Sequence, residues 1–306
     1  MKILITGGAG YIGTELAHLL TENEKVEHVT IYDNLSRNNY NFFIEEKFNS
    51  EKISFFYGDI LDGRSLRKAL KDIDVVYHLA AKVTTPYADQ ELHQYEQINH
   101  WGTTELVECI RQTNVSDVIF LSSASVYGFS DTYFDEDSIT NPTNHYGITK
   151  KRAEQEVLLL GKERRVTIIR SANVFGYSRS MRFDSVINRF MFDSNFNKKI
   201  NVFGDGRQNR AFISIEFLSH ILSNLVFEKE FPVLLNAVEF NFGINEIIFE
   251  YLKKIYSDTE VLYVNQEIPV KGINLKTKHD MSEFYSFSHQ DFITHLNNFK
   301  KKFSFR

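Results

Sequence analysis

Tyr146 and Lys150, which stand four residues apart in Tyr146-Gly-Ile-Thr-Lys150, are the side chains of this sequence best suited to acid–base chemistry. On a helix, residues at this spacing lie on one face, so the phenol and the ammonium can meet. A phenol titrates near pH 10, and adjacent positive charge favours its ionised form, which is a general base. The Ser122-Ser-Ala-Ser-Val-Tyr-Gly128 stretch follows an apolar run and offers hydroxyls that can hold a reacting alcohol. An isolated Tyr/Lys pair is usually a surface pair worth about 0.2–0.5 kcal/mol, so its meaning depends on the rest of the chain.

A glycine-rich turn near the start of the chain indicates a dinucleotide site. Met1-Lys-Ile-Leu-Ile-Thr6 is a short apolar run that predicts a buried strand, and Thr14–Leu20 has helical periodicity. Between them stand Gly7, Gly10 and Gly13. Glycines at these places permit a tight turn, close approach of the backbone to a pyrophosphate, and close packing of helix on strand. The N-terminus of the helix then supplies free N–H groups and the positive end of its dipole for the phosphates.

Asp33 indicates which dinucleotide is bound. It follows a second predicted strand, Val26–Tyr32, about twenty residues beyond the glycine turn. A carboxylate at this place accepts hydrogen bonds from ribose hydroxyls and repels a 2′-phosphate. We therefore expect NAD rather than NADP, and Arg37 is the nearby residue that argues for NADP. Because the positive nicotinamide would also favour the Tyr146 phenolate, the combination of the two motifs predicts hydride transfer.

The order of predicted elements indicates the fold class. Apolar runs and helical stretches alternate over about the first 170 residues. This alternation predicts an α/β fold with a Rossmann-type, doubly wound parallel sheet that is covered by helices on both faces. Beyond residue 173 the alternation loosens and arginines become frequent. We expect an NAD-binding Rossmann domain over residues 1–172 and a smaller C-terminal α/β substrate lobe over residues 173–306.

Composition and charge argue against several other classes. The chain has 306 residues and a formal net charge of −5, which gives no electrostatic attraction to nucleic acid or to an anionic membrane. No apolar run approaches the roughly twenty residues of a membrane span, and the chain enters its first predicted strand without a signal-peptide core. Cys109 is the single cysteine, so no internal disulfide forms, and no Cys/His cluster has metal-ligand spacing. We expect a cytoplasmic enzyme that uses no metal and binds neither nucleic acid nor a membrane.

As a set, these motifs resemble those of the extended short-chain dehydrogenases/reductases. The resemblance is to the NAD-dependent nucleotide-sugar epimerase/dehydratase family, in particular to UDP-sugar 4-epimerases, and it extends over most of the chain. The three motifs above carry it together with a set of shorter matches: Asp33-Asn-Leu35, Gly58-Asp-Ile60, His78-Leu-Ala-Ala81, Asn99 before Gly102-Thr103, Asn173-Val-Phe-Gly176 and Gly204-Asp-Gly-Arg-Gln-Asn-Arg210.

The resemblance implies a role for each matched residue. Ser123 and Tyr146 would share the substrate hydroxyl and Lys150 would hold the nicotinamide ribose, so these three are the implied catalytic residues. The residues implied to bind NAD are Gly7, Gly10, Tyr11, Ile12, Gly13, Asp33, Asn34, Asp59, Ile60, Leu79, Ala80, Ala81, Lys82, Asn99, Tyr146 and Lys150. Those implied to bind a nucleotide-sugar substrate are Ser123, Ser125, Asn173, Arg179, Arg182 and Arg210. For Arg179 and Arg182, a structural ion pair with Asp184 is an equally good interpretation. The resemblance also implies a homodimer.

The two residues before Val126-Tyr-Gly128 narrow the choice of reaction. Dehydratases of the family carry an Asp-Glu pair there for the elimination of water, whereas this chain has Ala124 and Ser125, which cannot act as carboxylate acid–bases. Relatives that resemble GDP-fucose synthase place a cysteine in this loop, which here has none. We therefore expect a nucleotide-sugar epimerase that acts at C4 through a transient 4-keto intermediate. An NAD-dependent nucleotide-sugar 4-dehydrogenase or 4-keto-sugar reductase is the alternative, and a non-catalytic NAD-binding sensor is a further one.

The late part of the chain departs from the family pattern. Where the family usually has a second arginine in an Arg-Pro-Gly-Asp stretch, this chain reads Ile268-Pro-Val-Lys-Gly-Ile273. Lysine can replace arginine as a point charge but loses its two-pronged geometry toward phosphate. The nucleotide base and the sugar therefore stay open.

Overall fold

The computed structural model describes residues 1–44, 48, 51–83, 91–130, 132–228, 232–265, 272–280 and 291–305. In chain order, its strands are β1 (Lys2–Thr6), β2 (His28–Asp33), β3 (Ile53–Tyr57), β4 (Val75–His78), β5 (Asp117–Ser123), β6 (Tyr133–Phe134), β7 (Arg165–Ser171), β8 (Asn173–Phe175), β9 (Lys199–Phe203), β10 (Asn209–Ser214), β11 (Leu234–Ala237), β12 (Phe240–Gly243), β13 (Glu260–Val264) and β14 (Asn274–Leu275). Its α-helices are α1 (Tyr11–Glu22), α2 (Gly63–Ala69), α3 (Leu92–Tyr95), α4 (Gly102–Arg111), α5 (His145–Leu160), α6 (Val186–Phe192), α7 (Ile215–Leu225), α8 (Ile244–Glu246), α9 (Lys253–Ile255) and α10 (Phe292–Lys300). Short 3-10 turns lie at Tyr40–Phe43 and Ala124–Val126, and π-helical turns lie at Glu96–Trp101, Asp193–Asn197 and Ile247–Leu252.

Seven of the described strands form one parallel sheet in the order β3-β2-β1-β4-β5-β7-β11. β1 pairs with β2 on one side and with β4 on the other, so Thr6 lies between Tyr32 and His78. The strand order reverses at β1 and β4, and in sheets of this kind ligands bind beyond the carboxyl ends of the strands at the reversal. The prediction of a Rossmann-type, doubly wound parallel sheet is confirmed.

Helices cover both faces of this sheet because its strands carry apolar side chains on both sides. On one face, Ile3 of β1 belongs to a core layer with Leu16 of α1 and Leu218 of α7. On the other face, Leu4 belongs to a layer with α2, α4 and α5, which includes Val157. Across the described residues, no helix has both the length and the apolar character that a bilayer crossing requires.

The later part of the chain adds smaller sheets around a separate core. β8 runs parallel to β10, which pairs antiparallel with β12, while β9 with β13 and β6 with β14 form two-stranded parallel pairs. The third core cluster, which includes Phe175, Met191, Phe212 and Ile247, consists of residues from this part. However, β11 completes the large sheet and α7 packs on α1, although both follow residue 172. The boundary at residue 172 stays a prediction. β11 and α7 follow this residue in the chain but pack with elements that precede it.

Candidate active site

A cavity of about 720 Å³ opens at the carboxyl ends of the central strands, where Asp33, Leu79, Ser123 and Ser171 line it. Its size is in the range of small-molecule sites. It gathers nearly all the residues for which the sequence predicted NAD contacts: Gly7, Gly10, Tyr11, Ile12, Gly13, Asp33, Asn34, Asp59, Ile60, Leu79, Ala80, Ala81, Lys82, Tyr146 and Lys150.

The glycine turn leaves a cradle of main-chain atoms at one end of the cavity. Gly7 has φ +69°, and a Cβ there would lie 2.7 Å from the backbone of Ala80. A Cβ on Gly13 would lie 2.6 Å from Cα of Gly8, so only glycine allows the helix to start this close to β1. No side chain caps α1, because its N-cap residue is Gly10. The positive end of the helix is therefore available to phosphate oxygens, and the cradle fits a dinucleotide.

Asp33 and the residues next to it form the adenosine end of the predicted cofactor site. The Asp33 carboxylate accepts hydrogen bonds from the backbone N–H of Ala9 at 3.1 Å and of Leu35 at 2.8 Å, which fix its orientation. Burial raises the pKa of Asp33, and these two backbone N–H groups oppose the shift. Beyond β2, the Asn34 amide donates to the Asp59 carboxylate at 2.8 Å and joins two loops in which the sequence predicted NAD contacts.

Asn99 is the predicted NAD residue that does not line the cavity. It is buried in the π-helical turn Glu96–Trp101, where its amide accepts from the backbone N–H of Lys82 at 2.8 Å and donates to the Lys82 carbonyl at 3.0 Å. The structure thus places Asn99 behind the cavity wall. The amide oxygen and the amide nitrogen of Asn99 both bind the main chain of Lys82, which is a cavity residue.

The predicted catalytic residues converge on one wall of the cavity. Ser123 ends β5, while Tyr146 and Lys150 lie on the buried face of α5. Asn144 caps α5 by accepting from the Gly147 N–H at 2.8 Å, which fixes where the helix begins. The Ser123 side chain acts to lower the pKa of the Tyr146 hydroxyl, and the Tyr146 ring meets Tyr95 edge to face at 6.3 Å.

The groups that shift the pKa of Tyr146 differ from those that the sequence predicted. Burial raises the pKa of Tyr146, and the opposing influences are the Ser123 hydrogen bond and the positive charge of Arg182. Lys150 was expected to lower this pKa, but burial lowers the pKa of Lys150 itself to about 7. The Lys150 ammonium lies 4.2 Å from the Phe120 ring centroid. Within the protein, desolvation therefore outweighs the attraction between phenolate and ammonium.

A buried ionic cluster below Lys150 was missed in the sequence. Glu154, one helical turn beyond Lys150, accepts from Nε and Nη2 of Arg170 at 3.0 and 2.8 Å, and it also accepts from the Ser122 hydroxyl. Its negative charge opposes the lowering of the pKa of Lys150. The guanidinium of Arg170 in turn lies 4.7 Å from the Tyr127 ring centroid. The i, i+4 spacing of Lys150 and Glu154 on a helix was the signal that could have revealed this cluster.

Ser125, Asn173 and Arg182 are the predicted substrate residues, besides Ser123, that line the cavity. Asn173 donates to the Ala211 carbonyl at 2.9 Å. Arg182 donates to Asp184 at 2.7 Å and to the Val83 carbonyl at 3.2 Å. Arg182 is therefore in the ion pair with Asp184 and also faces the cavity, and its substrate contact stays a prediction.

Asp184 is held between two cations. Arg37 donates to it at 3.2 Å from the other side, so the residue that argued for NADP is engaged by a carboxylate. Burial would raise the pKa of Asp184, but the charges of Arg182 and Arg37 and their hydrogen bonds lower it overall.

Arg179 and Arg210 are not among the cavity-lining residues. The Arg179 guanidinium lies 3.9 Å from the Glu15 carboxylate of α1, a contact that the sequence did not indicate. Arg210, on β10, lies over the Phe129 ring at 5.9 Å, and burial lowers its pKa to about 10. The substrate roles of Arg179 and Arg210 stay predictions. The late stretch with Lys271 falls in residues 266–271, outside the described part of the chain.

Comparison with known proteins adds independent findings. A family model described as the NAD dependent epimerase/dehydratase family matches residues 3–219. The human dTDP-D-glucose 4,6-dehydratase is 30% identical over 217 residues, which are 69% of this chain and 61% of that protein. This match covers less than two thirds of the relative's own length.

Solved structures resemble almost the whole chain. The UDP-glucuronic acid 4-epimerase from Bacillus cereus, in complex with UDP-glucuronic acid and NAD, has a TM-score of 0.83 and 26% identity, with 98% of each chain covered. The UDP-N-acetylglucosamine 4-epimerase from Methanobrevibacter ruminantium M1, in complex with UDP-N-acetylmuramic acid, has a TM-score of 0.84 and 26% identity, with 98% of this chain and 97% of that chain covered.

Proposed function

The chain belongs to the NAD-dependent epimerase/dehydratase family, and from this premise we propose that it is an NAD-dependent nucleotide-sugar 4-epimerase that acts through a transient 4-keto intermediate. The observation that carries the proposal is that one cavity joins the glycine turn to Ser123, Tyr146 and Lys150. The proposed site of the hydride acceptor and the acid–base group thus face the same space. The resemblance stated from the sequence is confirmed at the level of the family.

The fit of the cavity to NAD rests on the main-chain cradle and on Asp33. The open N-terminus of α1 suits the pyrophosphate, and the oriented Asp33 carboxylate suits ribose hydroxyls. We assign the adenosine end to Asn34, Asp59 and Ile60. Bound NAD supplies a reversible acceptor for the hydride at C4 of the sugar.

The residues of the chain supply the proton chemistry. Tyr146 accepts the proton of the C4 hydroxyl and returns it to the same oxygen, and Ser123 holds that oxygen through its own hydroxyl. For this the Tyr146 pKa must fall below the raised value that burial gives it. Two cations can lower it, namely Arg182 and the positive nicotinamide. Lys150, supported by Glu154, holds the nicotinamide ribose.

The carboxylates that line the cavity distinguish epimerisation from dehydration. Among the described residues these are Asp33, Asp59 and Asp184. Asp33 is turned to two backbone N–H groups, and Asp184 is bound by arginines. Ala124 and Ser125 stand where a dehydratase carries its acid–base pair. This favours the 4-epimerase over the reaction of the human relative.

We assign the substrate contacts to Ser125, Asn173 and Arg182, and we propose that Arg210 binds the diphosphate of the nucleotide sugar. Arginine suits this contact because it is permanently charged and can bind two phosphate oxygens. The family neighbours that bind UDP-sugars make these the first substrates to examine.

The test is a panel of UDP-glucose, UDP-glucuronic acid and UDP-N-acetylglucosamine, each incubated with the protein and NAD and followed by proton NMR. We expect one of them to reach an equilibrium mixture of its two C4 epimers without net formation of NADH. Accumulation of NADH with a keto-sugar would establish the 4-dehydrogenase, and loss of water would establish a dehydratase. Binding of NAD with no turnover of any sugar would favour the sensor.

We also propose the homodimer that the resemblance implies. In support, Trp101 and Leu158 are about half exposed on helical segments that neighbour each other through His100 and Glu156. Sedimentation equilibrium should give twice the chain mass of 35.7 kDa, and a monomer mass would contradict the proposal.

A further inference from the structure

The segment 176–185, between β8 and α6, lies against the first turn of α1. The Tyr11 hydroxyl donates to the Gly176 carbonyl at 2.7 Å, and the Ser178 hydroxyl donates to the Tyr11 carbonyl at 2.9 Å. One turn later, the Thr14 hydroxyl donates to Ser180 at 2.8 Å. Three hydrogen bonds between residues more than 160 positions apart therefore fix this segment to the helix that begins at the glycine turn.

Asn188, in α6, closes these contacts into a ring. It is fully buried, and its amide oxygen accepts from the Gly176 N–H at 2.9 Å. Its amide nitrogen donates to the Tyr11 hydroxyl at 3.2 Å and to the Arg182 carbonyl at 2.9 Å. Because an unsatisfied buried polar group is costly, a ring whose members satisfy one another holds one arrangement.

The ring connects the two ends of the cavity. Tyr11 is the first residue of α1, whose N-terminus faces the pyrophosphate position, and Arg182 faces the part of the cavity near Tyr146. Gly176, at the centre of the ring, has φ +115°, a conformation that favours glycine, and a Cβ there would lie 2.9 Å from Ile215. A shift of α1 therefore cannot leave the position of Arg182 unchanged.

We propose that Tyr11 and Asn188 are positioning residues that hold the Arg182 segment to the cofactor turn, so that binding of NAD and binding of the nucleotide sugar are coupled. This inference rests on the proposed function for the identity of the two ligands. Coupling of this kind is reciprocal, so each ligand must raise the affinity of the other by the same factor.

The experiment measures the dissociation constant of UDP by calorimetry with and without saturating NAD, and then that of NAD with and without UDP. For the unaltered protein we expect each ligand to tighten the other by the same factor, within about 5- to 150-fold. Tyr11→Phe keeps the ring of the side chain but deletes the hydroxyl, and Asn188→Ala deletes the amide. Both should bring the factor toward one, because Tyr11→Phe removes two hydrogen bonds of the ring and Asn188→Ala removes three. The bonds of Ser178 and Thr14 remain in both variants.

Tyr77→Phe is the matched control. Tyr77 is buried, and its hydroxyl donates to the Leu222 carbonyl at 2.7 Å, as that of Tyr11 does to Gly176, but it lies outside the cavity lining. It should lower thermal stability and leave the coupling factor unchanged. If Asn188→Ala does not fold, Thr14→Val removes the bond to Ser180, together with the bond to the Gly10 carbonyl, with little change of shape, and it should also reduce the factor.

The outcomes separate the two proposals. If the unaltered protein binds NAD and UDP with a factor of one, the coupling is overturned and the proposed function stands. An equal loss of the factor in Tyr77→Phe would also overturn the coupling, because general loosening would then explain it. If the protein binds neither ligand, the proposed function falls together with the coupling.

Discussion

The cofactor end of the cavity is formed largely by main chain, whereas the substrate end is formed by side chains from distant segments. At the cofactor end, Gly7, Gly13 and the N-terminus of α1 define the shape, because a Cβ on either glycine would lie within 3 Å of neighbouring backbone atoms. At the substrate end, Arg182 depends on Asp184, which also engages Arg37. Steric fit therefore defines the first region, whereas ion pairs hold the side chains of the second. Substitutions should therefore have different consequences at the two ends.

The largest effect is expected where the two ends meet, at Tyr146. Tyr146→Phe keeps the ring and its edge-to-face contact with Tyr95 but deletes the proton-transfer group. Turnover should fall about 10²–10⁴-fold, the usual contribution of a positioned acid–base group, while NAD affinity and the fold are retained. Steady-state kinetics and NAD titration check both parts. A loss of NAD binding would show that Tyr146 belongs to the cofactor end alone.

The next effect concerns Lys150 and pH. Its pKa is about 7 in the fold and 10.5 in the reference state, so between these pH values the unfolded chain binds the extra proton. The native state should therefore gain stability as pH rises from 7 toward 10.5, and the gain ends once Lys150 is neutral in both states. Lys150→Met should remove this gain, which is on the order of a few kcal/mol because one pKa unit corresponds to about 1.4 kcal/mol.

Urea unfolding at pH 7 and pH 9.5 without added NAD measures this difference, and Lys151→Met provides the matched control. Lys151 is the next residue on α5, and its ammonium donates to the Thr140 carbonyl at 2.8 Å. Equal pH dependence in Lys150→Met and in the unaltered protein would show that Lys150 keeps its charge in the fold.

Substitutions of Arg182 and Arg179 distinguish cavity contacts from structural ion pairs at the substrate end. Arg182→Ala should weaken binding of UDP by about 1.5–3 kcal/mol, as expected for hydrogen bonds to a charged group, and leave NAD affinity nearly unchanged. Arg179→Ala is the control, because its guanidinium is directed to Glu15 and it should change UDP affinity little. Calorimetry of both variants decides the matter, and equal losses would return Arg179 to the substrate site.

The smallest effect is expected for cofactor selection by Asp33. The unaltered protein should prefer NAD to NADP, because a 2′-phosphate would face the carboxylate. Asp33→Ala should reduce this preference by about 1 kcal/mol, or roughly fivefold. This is the energy of repulsion between two unit charges about 4 Å apart in water. Titration of both cofactors into both proteins gives the ratio. Equal affinity of the unaltered protein for NAD and NADP would contradict the assignment.

The difference between the two ends also explains what the sequence could predict. The predicted NAD contacts follow from local spacing: Gly7 and Gly13 need only their own turn, and Asp33 needs only the end of its strand. The sequence could not show that Asn99 binds the main chain of Lys82, because its orientation depends on a π-helical turn. The sheet was predictable in the same way, from apolar runs that alternate with amphipathic helices.

The substrate end was predicted less well because its side chains depend on tertiary partners. For Arg179 the sequence left a substrate contact and an ion pair with Asp184 equally open, and it did not indicate Glu15, which α1 brings to the guanidinium from more than 160 residues away. Glu154 and Arg170 form a buried pair on different elements, and neither belongs to a motif. For Arg182 the sequence indicated the ion pair with Asp184, but it could not show that Asn188 and Tyr11 hold the Arg182 segment to the glycine turn.

The central claim is that hydride leaves and returns at one sugar carbon while Tyr146 handles only the hydroxyl proton. Incubation of the converted UDP-sugar with the protein and NAD in heavy water tests it most directly, with the product examined by mass spectrometry and NMR. The account predicts an epimer without deuterium on any carbon. Deuterium bound to carbon in the product would mean enolisation next to a ketone, and it would contradict the 4-epimerase.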